Sequence, residues 1–212
     1  MTRGKFIALE GGEGTGKSTQ ARLLAEWLAG QGLDATVTRE PGGTPGAEAI
    51  RSLLLTPPGE GWGSRAEALL FAAARSDHVE KLILPAMEDG KWVVCDRFVD
   101  SSRAYQGGAG ELGDDAILRL HDIGSKGARP DLTLLIEVPA ERVAERLALR
   151  DGGNADAIGG RDADYHRRVG ETFREIAARD PDAFALINGN GTIDEVQSRI
   201  RSVVAPLVTQ QS

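Results

Sequence analysis

The segment Gly11-Gly12-Glu13-Gly14-Thr15-Gly16-Lys17-Ser18 fits the pattern G-x-x-x-x-G-K-[ST], and its flanks restrict the chain to few folds. Before it stands Phe6-Ile7-Ala8-Leu9, a short apolar run of the kind that forms a buried strand. After it, Ala21, Leu24, Ala25 and Leu28 recur at helical spacing. Strand, glycine turn and helix, in that order, direct backbone N–H groups at one point beyond the strand's end. Glycines allow a polyphosphate to approach, and the helix N-terminus adds partial positive charge. Lys17 reaches the outer phosphates, and the Ser18 hydroxyl can ligate Mg²⁺. A glycine-rich turn with a chance lysine would not come with both flanking elements, so the pattern implies binding of a nucleoside triphosphate.

The remainder of the chain alternates strand and helix patterns. Strands are expected at Lys5–Leu9, Ala35–Thr38, Trp92–Cys95, Leu132–Val138 and Phe184–Ile187. Helices are expected near Lys17–Ala29, Ala47–Leu55, Arg65–Leu84, Asp114–Ile123, Ala140–Arg150, Ala163–Ala178 and Ile193–Leu207. Ser64 with Glu67, and Thr192 with Glu195, have the spacing of capping boxes. Short apolar strands separated by helices predict an α/β fold: a five-stranded, mainly parallel sheet covered on both faces. Ligands of such sheets bind at the carboxyl ends of the strands. No linker divides residues 1–212, so a single domain is expected. The glycine-rich stretch Asp151–Gly160 interrupts two helical patterns and reads as a short mobile lid at about residues 150–163.

A formal net charge of −7 argues against nucleic acid or an anionic membrane as the main partner. It also requires local clusters of Arg and Lys wherever a triphosphate is held. The single cysteine, Cys95, lies in the apolar run Trp92-Val93-Val94-Cys95 and reads as a small buried hydrophobe. No leader, lipidation motif or span-length apolar run is read in the sequence, so a cytoplasmic protein is expected. The three histidines are far apart in sequence and have no companion thiols, which gives no zinc pattern.

Asp96 follows the third strand directly, where a carboxylate beside the phosphate loop can hold Mg²⁺, and Arg97 comes next. In Asp96–Gly107, a helical reading puts Ser102, Tyr105 and Gln106 on one face with Phe98. Phe71 and Arg75 are four apart on the preceding helix. Phe71 could stack on a base whose edges Arg75 and Gln106 hydrogen-bond. Arg39-Glu40-Pro41-Gly42-Gly43-Thr44 puts a cation after the second strand, with Arg51 one helix later.

These segments, in this order, resemble those of bacterial thymidylate kinases, and the resemblance extends through Arg129-Pro130-Asp131-Leu132-Thr133-Leu134. It implies a P-loop kinase fold, transfer of the ATP γ-phosphoryl group to dTMP, Mg²⁺, and usually a homodimer. By the resemblance, Gly11, Gly12, Glu13, Gly14, Thr15, Gly16, Lys17, Ser18 and Thr19 hold ATP, and Ser18 and Asp96 hold the metal. Phe71 lies against thymine, with Arg75 and Gln106 at its polar edges and Ser102 close by. Tyr105 lies beneath the deoxyribose. Arg39, Arg51 and Arg97 hold or support the acceptor phosphate, Glu40 lies near them, and Glu13 points to the acceptor sugar or the metal.

The acceptor oxygen belongs to a phosphate monoester with a second pKa of about 6, already an anion at neutral pH. Catalysis then consists of neutralising two polyanions and aligning them, with Lys17 and several arginines and without a general base. This phosphate loop offers Glu13 and no arginine, so the lid is expected to supply a charge on the transferring group. Arg142, Arg146 and Arg150 recur every four residues, as a solvated helix face also would. Related lids carry Asp-Arg-x-Glu, whereas this one reads Asp156-Ala157-Ile158-Gly159-Gly160-Arg161, leaving Arg150 and Arg161 as the catalytic candidates. Other acceptors such as dUMP or dCMP, and a non-enzymatic nucleotide switch, are the competing readings. The Asn-Lys-x-Asp segment of a guanine switch is absent from the sequence.

Overall fold

Apolar residues fill both pleat directions of the central strands, which forces a covering layer on each face of the sheet. In β1 (Phe6–Glu10), Ile7 and Leu9 point to one face and Phe6 and Ala8 to the other. In β3 (Trp92–Asp96), Trp92 and Val94 divide from Val93 and Cys95 in the same way. The computed structural model describes residues 2–139, 141–143, 145–146 and 157–209. With β2 (Ala35–Arg39), β4 (Leu132–Glu137) and β5 (Phe184–Asn188) these strands form a five-stranded sheet of order β2-β3-β1-β4-β5, every pair parallel.

One face is covered by α1 (Lys17–Gly30) and the last helix, Ile193–Thr209. Leu24 and Leu28 of α1 meet Ile200 and Val204 of that helix over Ile7, Leu9 and Leu134. The other face carries α2 (Pro45–Leu55), α3 (Ser64–His78), α4 (Leu84–Glu88), α5 (Val99–Ser102) and α6 (Asp114–Ser125). α7 (Ala163–Arg179) and α8 (Ile193–Thr209) complete the chain, and residues 141–143 and 145–146 are also helical.

Helix α3 runs on into α4 through a π-helical stretch, Val79–Ile83, where the Leu84 N–H bonds the Val79 carbonyl. Pro85 follows at once; it has no N–H for the carbonyl four residues back and its ring crowds that turn, so the helix widens. The sequence reading stopped this helix at Leu84 because periodicity does not register a π turn. A second π-helical stretch, Arg103–Ala109, continues α5 and closes with a Gly110 N–H bond to the Tyr105 carbonyl. It packs against α7 so closely that a Cβ on Gly108 would lie 2.2 Å from the Thr172 hydroxyl.

The Thr192–Glu195 capping box forms as expected, with reciprocal bonds of 2.7 and 3.2 Å. The Ser64–Glu67 box does not. Gly63 precedes α3, no side chain caps that end, and the Glu67 carboxylate turns inward to Gln106 and Arg161. A buried ionic partner outcompetes an exposed N–H for the same carboxylate.

Arg150, the lid residues 151–156 and most of the end of the expected helix Ala140–Arg150 lie outside the described residues. Among the described residues no helix is long and apolar enough to cross a membrane.

The α1–α8 layer carries much of the core, so truncating its centre is a direct test. Ile200→Ala should lower the unfolding free energy by about 2–5 kcal/mol in urea titrations. A loss below about 1 kcal/mol would mean that α8 docks loosely.

Candidate active site

Parallel pairing brings Leu9 of β1 and Arg39 of β2 level with Asp96 of β3, so three strands end at one rim. The loop after β1 turns sharply there. Gly11 has φ +138°, and a Cβ on it would meet the Ile136 carbonyl oxygen at 2.5 Å. Lys17 opens α1 and folds back, its Nζ donating to the Gly12 carbonyl at 2.7 Å. Burial lowers the Lys17 pKa to about 8, and the Arg97 charge adds to the effect. An arriving polyphosphate meets a desolvated ammonium whose present acceptor is a carbonyl.

Ser18 donates to Asp96 Oδ2, and the buried Asp96 Oδ1 has no hydrogen-bond partner among the described residues. Arg97 takes φ +70°, a left-handed backbone unusual for a bulky residue. Its Nη1 donates to the Gly11 carbonyl at 3.0 Å and to Ser101 Oγ at 2.9 Å. Its Nη2 donates to Glu13 at 2.6 Å and to the Tyr105 hydroxyl at 3.2 Å. Burial alone would lower the Arg97 pKa, but Tyr105, Glu13, Asp96 and Glu10 outweigh it and hold the pKa well above its ordinary value.

Glu10 sits behind this arginine. It is fully buried and accepts from Phe98 N (2.8 Å), Ser101 N (3.0 Å) and Ser101 Oγ (2.6 Å). It therefore clamps the start of α5, where Phe98 follows Arg97 and Ser101 stands in the first turn. Burial, and then the Asp100 charge, raises its pKa to about 7.

A cavity of about 570 Å³ opens over the rim. Lys17, Arg39, Arg51, Arg75, Arg97 and Arg146 line it, with Glu13, Glu40, Asp96, Phe71, Ser102, Tyr105 and Gln106. An acidic protein thus concentrates cations where its sequence requires them. The acceptor-side residues expected from the sequence converge here, each held differently. Arg39 pairs with Glu48 at 3.0 Å, and Arg51 donates to the Pro41 carbonyl at 2.8 Å. Arg75 is buried, its Nε on Glu40 at 2.7 Å and its Nη2 on Ser102 Oγ at 2.8 Å. Glu40 is buried behind it and also meets His78 Nδ1 at 3.1 Å, while His78 Nε2 lies 2.7 Å from Thr38 Oγ1.

On the lid side, Arg142 is exposed and pairs with Glu145, as a solvated face would. Arg146 instead reaches the phosphate loop, with Nη1 3.5 and 3.4 Å from the Gly14 and Thr15 carbonyls. It also lines a second cavity of about 210 Å³ with Thr15, Gly16, Thr19, Gln20 and Gly191. Of the two lid candidates, Arg150 lies outside the described residues. Arg161 has its guanidinium on Glu67 and the Tyr165 hydroxyl, stacked 4.6 Å over the Tyr165 ring.

Sequence reading missed Glu10 and His78 and misread Glu67. Two signals were available. Glu10 is an acid ending an otherwise apolar buried strand, and Glu67, Phe71 and Arg75 fall at four-residue intervals on one helix face.

A family model of thymidylate kinase matches residues 9–200. A thymidylate kinase from Rhizorhabdus wittichii is 55% identical over 205 residues, covering 97% of this chain and 99% of the relative. One from Rhodopseudomonas palustris is 50% identical over 204 residues, covering 95% and 89%. The crystal structure of thymidylate kinase from Ehrlichia chaffeensis is similar with a TM-score of 0.78 at 31% identity, covering 95% of this chain and 99% of that one.

Glu10 gives this site a testable pH signature. Its folded pKa lies above the ordinary 4.5, so the folded state holds the proton more tightly than the unfolded state does. The stability it contributes is complete below about pH 4.5 and is lost as pH rises through about 7. Glu10→Gln keeps an acceptor oxygen for both backbone N–H groups. It should remove an order of 3 kcal/mol of that pH dependence, read by urea unfolding at several pH values. An unaltered pH profile would show that Glu10 does not titrate in this window.

Proposed function

The chain belongs to the thymidylate kinase family, and from that premise we propose that its larger cavity takes dTMP and its phosphate loop and smaller cavity take ATP. It transfers the γ-phosphoryl group of ATP to dTMP, giving dTDP, and it works with ATP and Mg²⁺. The observation that supports this assignment of the cavities is their junction. Gly16, Thr19 and Arg146 line both cavities, and Lys17 and Arg97 line the larger one together with the glycine loop and with Phe71, Arg75, Tyr105 and Gln106. A phosphate donor and a base-bearing acceptor would have their charged ends at Lys17 and Arg97.

Residues Gly11 to Thr19 hold the ATP phosphates in this reading, and Arg146, shared by both cavities, lies along the path from phosphates to nucleoside. Phe71 stacks on thymine, Arg75 and Gln106 address its polar edge beside Ser102, and Tyr105 packs under the deoxyribose. Arg39, Arg51 and Arg97 attract the acceptor phosphate, and Glu40 fixes Arg75. Glu13 holds Arg97. Arg150 is the proposed lid arginine for the transferring group, whereas Arg161 acts from the acceptor side through Glu67. Residues 1–212 form one kinase domain with its lid at about 150–163.

The donor set suits Mg²⁺: Asp96 has a buried carboxylate oxygen without a hydrogen-bond partner among the described residues, and the Ser18 hydroxyl is beside it. Ser18 and Asp96 would hold the ion, which when bound neutralises phosphate charge. No general base is required, because the acceptor phosphate is already an anion. The carboxylates lining the cavity are otherwise engaged: Glu13 by Arg97, Glu40 by Arg75 and His78, and Asp96 by Ser18. What the side chains supply is charge and alignment for an in-line displacement.

A homodimer in the cytoplasm completes the reading. The exposed Leu53, Leu69 and Ile123 stand on α2, α3 and α6, helices packed side by side and offering apolar area to a second copy.

The test is ADP release from MgATP with dTMP, dUMP, dCMP, dGMP, ribosyl TMP or no acceptor. Turnover should be fastest with dTMP and absent without an acceptor. dUMP should be used less well by only a few-fold, since a buried methyl is worth about 0.8 kcal/mol. Equal turnover with every acceptor, or none with any, would contradict the acceptor assignment.

A further inference from the structure

Gln106 lines the larger cavity and is itself buried. Its Nε2 donates to Glu67 Oε1 at 2.9 Å, and its Oε1 has no partner among the described residues. Glu67 is buried behind the cavity wall, and its other oxygen is taken by Arg161, which lies within the stretch read as the lid. A paired carboxylate is ionised and can only accept hydrogen bonds. It therefore compels the Gln106 amide to turn its NH₂ inward and its carbonyl oxygen toward the cavity.

We propose that Glu67 is a specificity-positioning residue: by fixing the Gln106 amide, it presents an acceptor to the base and so selects a pyrimidine with an N3–H donor. This rests on the reading that the cavity takes the base of dTMP. Thymine and uracil carry a donor at N3 and an acceptor at O4, whereas cytosine has an acceptor at N3 and a donor at N4. Arg75 can only donate and suits O4; Gln106, held by Glu67, suits N3–H. Cytosine would oppose acceptor to acceptor at one point and donor to donor at the other. A site built on hydrogen bonds rejects such mismatches far more strongly than it rejects a missing methyl. Arg161 gives the arrangement a link to the lid. It pairs with Glu67 and is stacked on Tyr165, whose hydroxyl donates to the Tyr105 carbonyl at 2.8 Å.

Glu67→Gln is nearly isosteric and reverses the logic. Arg161 would take the new amide oxygen, leaving an NH₂ to face Gln106. Gln106 would then turn its carbonyl inward and offer its own NH₂ to the base. The preference for dTMP over dCMP, measured as a ratio of kcat/KM values, should fall about tenfold or more, mainly through KM for the nucleotide acceptor. The dTMP to dUMP ratio should stay within about twofold, because both bases present the same edge. A loosened pocket would move both ratios. In a Gln106→Leu background, Glu67→Gln should leave the dTMP to dCMP ratio within about twofold, since Glu67 acts through Gln106.

A parent enzyme without preference for dTMP over dCMP would overturn the base-site reading and this proposal with it. A parent with that preference and a Glu67→Gln variant that keeps it would overturn this proposal alone, as would a parallel fall in the dTMP to dUMP ratio. Should Glu67→Gln not fold, Gln106→Leu decides. Its dTMP to dCMP ratio must fall while its dTMP to dUMP ratio holds, and an unchanged dTMP to dCMP ratio overturns the proposal.

Discussion

The site depends on one guanidinium. Arg97 leaves β3 with a left-handed backbone and ties the Gly11 carbonyl, Glu13, Ser101 and Tyr105 to a single planar group. Those partners belong to the phosphate loop, to α5 and to the Tyr105 wall of the larger cavity. A fork with five donors can join them and keep its charge when buried, whereas a lysine would join fewer and lose its charge more readily. The relative position of the phosphate loop, α5 and the Tyr105 wall is therefore set by the protein's own hydrogen bonds. Electrostatic preorganisation consists of such prior placement.

Three buried glutamates hold the apparatus around it. Glu10 clamps the start of α5 beside Arg97, Glu40 holds Arg75, and Glu67 holds Gln106. An acidic chain can bind two polyanions because these carboxylates are engaged by the donors of the cavity: Glu10 and Glu67 stand outside its lining, and Glu40, which lines it, is taken by Arg75 and His78. The cost of burying each acid is offset by strong hydrogen bonds to charged groups or backbone N–H. Glu10 is the least compensated of them, with desolvation and Asp100 raising its pKa to about 7.

Much of this was legible in the sequence for a physical reason: it depends on local patterns. The phosphate loop, the five strands and most helices follow from spacing, glycine and apolar runs, and the sheet agrees with that expectation. One cavity brings together Arg39, Arg51, Phe71, Arg75, Arg97, Ser102, Tyr105 and Gln106, residues that the sequence pattern singles out. What escaped depends on tertiary partners. Ser64-x-x-Glu67 has the spacing of a cap, yet Glu67 is drawn to Gln106 and Arg161, residues 39 and 94 positions away. The π turns that widen α3 and carry Tyr105 and Gln106 follow from packing and Pro85, which apolar periodicity does not encode. Arg142 and Arg146 share a spacing but not an environment, and only the fold separates a solvated arginine from one at the phosphate loop.

The most direct measurement is the single-turnover rate of phosphoryl transfer in Arg97→Lys, with MgATP and dTMP both saturating. The substitution keeps a positive charge and removes the fork that joins loop, α5 and acceptor wall. If Arg97 aligns donor and acceptor, the rate should fall by roughly 10³ while thermal melting shows a folded protein. A folded variant within about tenfold of the parent rate would show that charge alone suffices there, and the alignment would have to come from elsewhere.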